Sequence, residues 1–470
     1  MEKGSVWRDP GRIDPASVTG PTGPRADVAR ASWTMPAMPR PYRDADFALV
    51  QREAQELSVF DGVENVKRKL MLGKDVTVAY FGGSITEGTS WRPPVTRWLR
   101  EKYPRSKITE INAGIGGTAS GLGVFRLEHD VLVHKPDLVF VEFACNDWDL
   151  KTEMSDDKAC ANLEQIVRRI WEQDLETDIV FVYTITKRML GNYGRDILDR
   201  YAAIHDTVAR RYYVPSVAFA PRVMAEHRAG RLVWTLGEFA TAVPKEDPEY
   251  DRKIGAELTK AGKIVFSNDG VHPRAEGGTF YFQSVTNLFA AQTLYPTPAN
   301  RRRMLEKPPF SPHPYVHAEA AEVVDGMLAG NGWSRISRED PVFGKFLVRT
   351  GSMCVTDTPG DKLVVDFEGK FCALYALYGP KGAKIQITVD GKPVGTKELC
   401  DRYCDYWRLM CVPAFDGEWG RHRIELRILE EQPDRSKIAF RGVTPERLKG
   451  PEYDGHRCAV GRIFVDGFLK

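Results

Sequence analysis

The sequence of 470 residues carries almost no net charge, because 66 basic side chains are balanced by 64 acidic ones. A nucleic-acid or anionic-membrane partner is usually recognised by a surplus of basic side chains, so the composition argues against both. The chain also begins without an apolar stretch that could serve as a signal peptide or a membrane span. We therefore expect a cytoplasmic protein with no nucleic-acid and no membrane partner, whose ligand is uncharged.

Metal-binding signatures are scarce as well. The pair Cys400 and Cys404 has no second ligand pair at the spacing of a zinc site, and six of the eight cysteines lie in the last third of the chain. Disulfides would form among them only in an exported protein, so we expect free thiols. We predict neither a metal nor an organic cofactor.

The sequence has no internal repeat and no low-complexity tract, and it is longer than one hydrophobic core usually supports. Hydrophobic residues make up 42% of the chain and charged residues 28%, as in ordinary soluble globular proteins. We predict an amino-terminal arm and helix over residues 1–60, a first domain over 61–297, a linker over 298–345 and a second domain over 346–470.

Within the first domain, apolar strands alternate with amphipathic helices. The first strand, residues 76–81, is a short apolar run followed by Gly82 and Gly83, as expected of a strand buried in a parallel sheet. Strands separated by helices form right-handed βαβ units, so we predict an α/β domain whose parallel sheet is covered on both faces. Ligands of such sheets bind beyond the carboxyl ends of the strands.

The second domain has a different pattern, made of short, evenly spaced β segments. The pair Asp390 and Gly391 is typical of a hairpin turn, and the spacing favours an all-β sandwich. Aromatic residues in these segments fit a carbohydrate-binding face, a hydrophobic core or an interface with the first domain, and these three interpretations stay open. The residues are Tyr375, Tyr378, Tyr403, Tyr406 and Trp407.

Ser84 stands where the first buried strand ends, in the sequence Gly-Gly-Ser-Ile-Thr of residues 82–86. Glycines permit a tight turn, and the serine hydroxyl would then lie at the carboxyl edge of the sheet. An ordinary loop is the alternative interpretation of such a turn. Because a serine hydroxyl is a poor nucleophile until a base removes its proton, the hypothesis of a nucleophile requires a histidine nearby.

Of the nine histidines, His272 has the most suitable setting, a polar loop over residues 267–273 that leads into a helix. Asp269 precedes it by three residues, so one short turn can present both side chains. A carboxylate that orients the histidine is the usual third member of such a group. The alternative is that the loop is only a turn or a helix cap.

Two further segments follow predicted strands and supply hydrogen-bond donors for an oxyanion. Residues 112–118 offer a backbone N–H at Gly114, Gly116 or Gly117, and the spacing favours Gly117. In residues 144–147, Asn146 could project its side-chain amide into the same crevice. Either segment alone could be an ordinary βα turn, but all four segments occur at strand ends and in one order.

These four segments resemble the conserved blocks of the SGNH/GDSL hydrolase superfamily over roughly residues 74–292. The resemblance implies a flavodoxin-like parallel sheet flanked by helices, followed here by a jelly-roll-like β sandwich. It also implies a catalytic triad and an oxyanion hole; the triad would be Ser84, Asp269 and His272, and the donors Ser84, Gly117 and Asn146. Three positions depart from the family pattern: Gly83 and Ile85 replace the aspartate and the leucine of Gly-Asp-Ser-Leu, and Ala144 replaces a glycine.

Two tryptophans near the predicted site, Trp91 and Trp148, are candidates for stacking on a sugar ring, although packing against the sheet is the commoner role of such side chains. Two-domain members of the superfamily with an accessory β module resemble carbohydrate O-acetylesterases. We therefore predict a serine esterase that acts on a small-molecule or oligosaccharide ester, most specifically an acetylated carbohydrate. The alternatives are a lipid or aryl ester hydrolase and a non-catalytic glycan-binding protein on a hydrolase scaffold.

Overall fold

The computed structural model describes residues 52–149, 155–239, 241, 243–244, 247–291, 293, 298–309 and 315–470. Most of the predicted arm over residues 1–60 lies outside these ranges. Its described end forms a short strand, Leu57–Ser58, that joins the sheet of the first domain, and the first described helix begins later, at Glu64.

The first domain is built on a six-stranded sheet. Its strands are β1 (Leu57–Ser58), β2 (Val76–Gly82), β3 (Ile108–Gly114), β4 (Leu138–Glu142), β5 (Asp178–Tyr183) and β6 (Ser216–Ala218). The order across the sheet is β1-β6-β5-β4-β2-β3. All neighbours are parallel except β1, which runs antiparallel to β6. The predicted α/β class is confirmed, with β3 at one edge of the sheet.

Helices connect these strands and cover the sheet. They are α1 (Glu64–Met71), α2 (Ser84–Glu87), α3 (Arg92–Lys102), α4 (Ser120–Asp130), α5 (Ala144–Asp149), α6 (Asp156–Gln173), α7 (Leu190–Tyr193), α8 (Arg200–Tyr212), α9 (Ala220–Arg228), α10 (Tyr250–Lys260) and α11 (Ala275–Ala290). A small parallel pair, β7 (Leu232–Val233) and β8 (Ile264–Val265), precedes the loop that carries His272. Strand β4 is buried along its whole length, as the apolar run predicts for a strand covered on both faces.

The second domain is an antiparallel all-β domain, as predicted. Its strands are β9 (Ala318–Glu322), β10 (Leu328–Ala329), β11 (Ser334–Arg335), β12 (Cys354–Thr356), β13 (Lys362–Tyr378), β14 (Lys384–Val389), β15 (Lys392–Glu398), β16 (Arg408–Ile428) and β17 (Cys458–Leu469). They form one continuous nine-stranded sheet. Strand β13 has 17 residues and β16 has 21, so several of the predicted short segments are parts of longer strands.

The prediction of a linker over residues 298–345 is wrong for most of that segment. Helix α12 (Pro298–Glu306) packs on the first domain, where the Arg301 guanidinium contacts the buried Asp178 carboxylate at 2.7 Å. Strands β9, β10 and β11 then belong to the sheet of the second domain. The strands in this segment are short and partly exposed, so they lack the apolar periodicity that identifies longer strands.

The two domains share one apolar cluster. Phe125 of α4 stacks on Phe371 and Phe464 of the second domain, with ring centroids 5.2 and 5.4 Å apart. A short helix, α13 (Leu347–Thr350), adds Leu347 to the same cluster. Burial of large aromatic side chains contributes strongly to such interfaces, so the second domain packs directly on the helix that follows the predicted oxyanion segment.

Candidate active site

Ser84 is the first residue of α2, directly after the end of β2. The turn needs both preceding glycines because other elements approach their Cα atoms closely. A Cβ on Gly83 would lie 2.7 Å from the side-chain amide nitrogen of Asn146, and one on Gly82 would lie 2.5 Å from the carbonyl oxygen of Glu142. The strand end therefore brings the serine and the asparagine of two sequence segments together.

The structure also brings Ser84, His272 and Asp269 together. The Ser84 Oγ lies 2.7 Å from His272 Nε2, and His272 Nδ1 lies 2.6 Å from Asp269 Oδ2. Both distances are within hydrogen-bond range. Serine and histidine are 188 positions apart in the chain, so the tertiary fold creates this contact. The arrangement has the order nucleophile, base and orienting carboxylate.

The Asp269 carboxylate is held in its ionised form by hydrogen bonds. Partial burial raises the pKa of Asp269. Hydrogen bonds from the His272 ring and from the backbone N–H groups of His272 and Val271 lower it by a larger amount, so the pKa lies well below the ordinary value. The Ser267 hydroxyl also donates to Asp269 Oδ1 at 2.9 Å. A carboxylate that accepts several hydrogen bonds stays charged, so Asp269 can hold the histidine as an anion.

Among the three predicted glycines, Gly117 has the conformation and the free N–H that an oxyanion donor needs. The Gly116 N–H donates to Glu87 Oε2 at 2.8 Å, and the Gly114 N–H donates to the side-chain oxygen of Asn112 at 3.1 Å. Gly117 has a φ of +71°, which favours glycine. Within the described part of the chain, no acceptor faces its N–H.

Sequence reasoning missed two buried supports of this site. The guanidinium of Arg126 donates to the carbonyls of Gly82 and Ala113 at 2.8 and 2.6 Å, which ties the ends of β2 and β3 together. Asp147, next to Asn146, contacts the buried His205 ring at 2.8 Å. Arg126 stands between two apolar residues of an amphipathic helix, and a charge in that position is the signal that could have revealed it.

A third missed residue, Glu142, is buried at the end of β4. Burial raises its pKa to about 7, although hydrogen bonds from the Thr86 and Thr184 hydroxyls lower it. The ordinary pKa of the carboxyl is 4.5. Because the folded-state pKa is the higher one, the contribution of Glu142 to stability is fully present below pH 4.5 and is lost as the pH rises to about 7.

We expect the Glu142→Gln variant, which has a neutral side chain of the same shape, to remove this pH dependence. Relative to the wild type, its free energy of unfolding should rise by about 3 kcal/mol between pH 4.5 and pH 8. Urea unfolding at the two pH values measures the difference. The exposed Glu276→Gln variant is the control. A Glu142→Gln variant that follows the wild type at both pH values would contradict a neutral carboxyl at this position.

The prediction that Trp91 binds substrate is wrong. Its side chain is fully buried and packs edge-on against Tyr80, Phe140 and Phe219 beneath the sheet edge. A large ring without solvent exposure cannot stack on a sugar. The second candidate, Trp148, has a side chain outside the described part of the structure.

The aromatic residues of the second domain divide into two groups. Tyr375 is buried in the cluster shared by the two domains, and Trp407 packs edge-on against Phe343 with ring centroids 5.0 Å apart. Tyr403 and Tyr406 are exposed. Tyr378 is half-buried and packs against buried residues of the second domain. Three of the five residues therefore serve the core or the interface, and Tyr403 and Tyr406 are the exposed pair.

In the ranges the structure describes, no three or more His, Cys, Asp or Glu side chains are grouped so that they could hold a metal ion. The eight cysteines all lie in the described ranges and form no disulfide, and seven of them are buried. No helix of the described residues has the length and apolar character needed to cross a bilayer.

Comparison with known proteins bears on the first domain above all. Residues 80–278 match the model of the GDSL-like Lipase/Acylhydrolase family. The chain is 29% identical over 150 residues to thioesterase 1/protease 1/lysophospholipase L1 of Escherichia coli strain K12, which covers 32% of this chain and 65% of that protein. It is 26% identical over 153 residues to an arylesterase of Vibrio mimicus, covering 33% of this chain and 71% of that protein.

A further curated relative, an uncharacterised lipoprotein of Bacillus subtilis strain 168, is 34% identical over 82 residues, and the chain spans 34% of its length. Among solved structures, a two-domain esterase active on acetylated mannans has a TM-score of 0.61 at 19% identity, covering 89% of this chain and 98% of that chain. The shared fold therefore includes both domains. Residues 80–278 therefore carry a GDSL-like lipase/acylhydrolase domain, as the resemblance of the four sequence blocks to SGNH/GDSL hydrolases predicts.

Proposed function

We propose that this protein is a serine-dependent ester hydrolase that removes O-acetyl groups from a carbohydrate. The observation that carries the proposal is the hydrogen-bonded series of Ser84, His272 and Asp269, with distances of 2.7 and 2.6 Å. Such a series activates a serine hydroxyl without a cofactor. The three residues lie at the carboxyl edge of a parallel sheet, where ligands of this architecture bind.

The chemistry follows from these positions. His272 Nε2 accepts the Ser84 proton as Oγ attacks the ester carbonyl, and Asp269 stabilises the resulting imidazolium. The N–H groups of Ser84 and Gly117 and the amide of Asn146 are placed to hold the oxyanion. His272 then returns the proton to the departing sugar hydroxyl, which leaves an acetyl ester on Ser84. Water, deprotonated by His272, cleaves this ester and releases acetate.

Two features favour a large substrate with a small acyl group. Within the described ranges, the side chains of His272 and Asp269 are 48% and 52% exposed, so these residues leave the triad in an open site. An open site gives a bulky alcohol such as a sugar chain access to the serine. The two-domain fold shared with an esterase active on acetylated mannans supports the same substrate class by analogy.

A lipid or aryl ester is the second candidate. It is favoured by the sequence relatives, which are named as a thioesterase/lysophospholipase and an arylesterase. Long acyl chains need an apolar surface to offset the loss of water around them, at about 0.8 kcal/mol per buried CH₂ group. The two candidates therefore differ in how the rate depends on the length of the acyl chain.

We expect kcat/KM for p-nitrophenyl esters to fall by about tenfold or more from acetate to octanoate, because an open site gains little from burying added CH₂ groups. Acetate release from acetylated mannan and xylan oligosaccharides, measured in the same preparation, tests the carbohydrate. A rise of kcat/KM with chain length, together with no acetate release from either oligosaccharide, would replace the proposal with lipid ester hydrolysis.

A further inference from the structure

Arg349 of the second domain reaches the strand that carries the oxyanion segment. Its Nη1 donates to the carbonyl of Asn112 at 2.7 Å, and its Nη2 donates to the carbonyl of Gly114 at 2.8 Å. Strand β3 is the edge of its sheet, so these carbonyls point away from β2 and have no neighbouring strand to bind. The guanidinium therefore binds the free edge of β3, where a further strand would otherwise pair, just before Gly116 and Gly117.

The same guanidinium lies beside Glu87, the last residue of the nucleophile helix α2. Arg349 Nη2 is 3.9 Å from Glu87 Oε1, while Glu87 Oε2 accepts the Gly116 N–H at 2.8 Å. A Cβ on Gly116 would lie 3.6 Å from the Cβ of Ser84. One carboxylate therefore joins the helix that begins with the nucleophile to the loop that presents Gly117, and Arg349 contacts this carboxylate and the end of β3.

The position of Arg349 is set by the second domain. It lies on α13, where the neighbouring Leu347 is buried in the cluster shared by the two domains. The carbonyl of Thr350, at the end of the same helix, accepts a hydrogen bond of 2.7 Å from the buried Arg462 of β17. These contacts attach the guanidinium to the nine-stranded sheet, so the second domain determines where it meets β3.

We propose that Arg349 is a positioning residue for the oxyanion hole, and that the β domain is therefore part of the catalytic unit. This inference rests on the proposed esterase function. The ion pair with the exposed Glu87 contributes little by itself, because solvent screens salt bridges at the protein surface. The two hydrogen bonds to backbone carbonyls carry most of the effect, since a hydrogen bond with a charged donor is stronger than one between neutral groups.

A planar guanidinium can donate to two carbonyls at once, whereas an ammonium group is a single point of charge. The spacing of the Asn112 and Gly114 carbonyls along one edge of β3 fits the two terminal nitrogens of the guanidinium. A lysine at position 349 would contact one carbonyl at most with good geometry. Lysine therefore tests whether the second hydrogen bond matters, without removing the charge.

The test compares Arg349→Ala and Arg349→Lys with the wild type on p-nitrophenyl acetate. Because a misplaced oxyanion donor weakens transition-state binding more than substrate binding, we expect kcat to fall by about tenfold in Arg349→Ala, less in Arg349→Lys, with KM within about twofold. Millimolar guanidinium chloride, far below a denaturing concentration, should restore part of the kcat of Arg349→Ala. A residue with only a structural role would show no such rescue.

The matched control is Arg335→Ala. Arg335 belongs to the same domain and pairs with Asp325 and the carbonyl of Val323, both outside the first domain. Hydrogen exchange of the peptide over residues 112–118 is a second measurement that does not depend on activity. It should be faster in Arg349→Ala and unchanged in Arg335→Ala. If Arg349→Ala does not fold, Arg349→Lys and Glu87→Gln provide the same two measurements.

The outcomes separate this inference from the proposed function. Wild-type turnover that is lost in Ser84→Ala but unchanged in Arg349→Ala would overturn the role of Arg349 and leave the esterase in place. Faster exchange over residues 112–118 in a protein without esterase activity would support the anchoring by Arg349 and overturn the proposed reaction. A loss of kcat that guanidinium does not restore, with unchanged exchange, would also overturn the positioning role.

Discussion

Replacing Ser84 with alanine should lower kcat on p-nitrophenyl acetate by about 10⁵-fold, because removal of a triad serine leaves only the rate enhancement from binding and the oxyanion hole. The Ser84 hydroxyl oxygen lies 2.7 Å from His272 Nε2. KM should change little, since Oγ contributes more to the transition state than to substrate binding. Steady-state kinetics of the purified variant measures both quantities.

Ser90→Ala is the matched control for this experiment. Ser90 lies six residues further along the chain, in the bend after α2, and is not among the hydrogen-bond partners of the His272 ring in the described structure. It should keep the wild-type rate. Equal rates in the wild type and Ser84→Ala would remove the esterase hypothesis and favour a glycan-binding protein on a hydrolase scaffold. A covalent phosphonate probe that labels Ser84 in the wild type and nothing in the variant gives an independent check.

Replacing Asp269 with asparagine should lower kcat by about 10³–10⁴-fold, because a neutral amide does not stabilise the imidazolium as a carboxylate does and it favours the wrong tautomer of the histidine. The backbone N–H groups of Val271 and His272 can still donate to the amide oxygen in place of Oδ1. The loop should therefore keep its conformation. Kinetics above pH 7, together with thermal unfolding, separates the loss of rate from a loss of fold.

The pH dependence of the rate gives a further test of the role of Asp269. The folded-state pKa of Asp269 lies below its ordinary value of 3.8, so the ionised carboxylate stabilises the fold above that value, and the contribution is lost as the pH falls further. The wild-type rate between pH 5 and 8 should therefore not report titration of Asp269. Asp247→Asn is the control, because Asp247 is another carboxylate with a lowered pKa that pairs with Lys253 and contacts neither Ser84 nor His272. An Asp269→Asn variant with wild-type kcat would contradict the orienting role.

Sequence reasoning worked best where local signals and chain order agree. The apolar run of β4 and the glycines before Ser84 each predict a buried strand that ends in a tight turn. The carboxyl ends of neighbouring parallel strands meet at one edge of a sheet, so residues that follow such strands become neighbours. For this reason Ser84, Gly117 and Asn146 could be grouped without coordinates.

Sequence reasoning failed where the partner of a residue is far away in the chain. Trp91 has the same local neighbours whether it faces substrate or the core, and the rings that surround it belong to other elements. The strands in residues 298–345 are too short for a clear period of two, so their pairing with β12, β13 and β17 decides their conformation. Periodicity indicates that a residue is buried but not what covers it.

The sequence by itself determined the α/β class of the first domain, the β class of the second, and the residues able to act as nucleophile, base and carboxylate. These depend on local periodicity and on turn chemistry, which each short segment carries within itself. Only the tertiary structure decided that Gly116 is engaged by Glu87, that Arg126 joins β2 to β3, and that Arg349 covers the edge of β3. Each of these is a contact of a charged side chain with the backbone of another element, so it forms only in the folded protein, and the contact of Arg349 also requires the two domains to pack together.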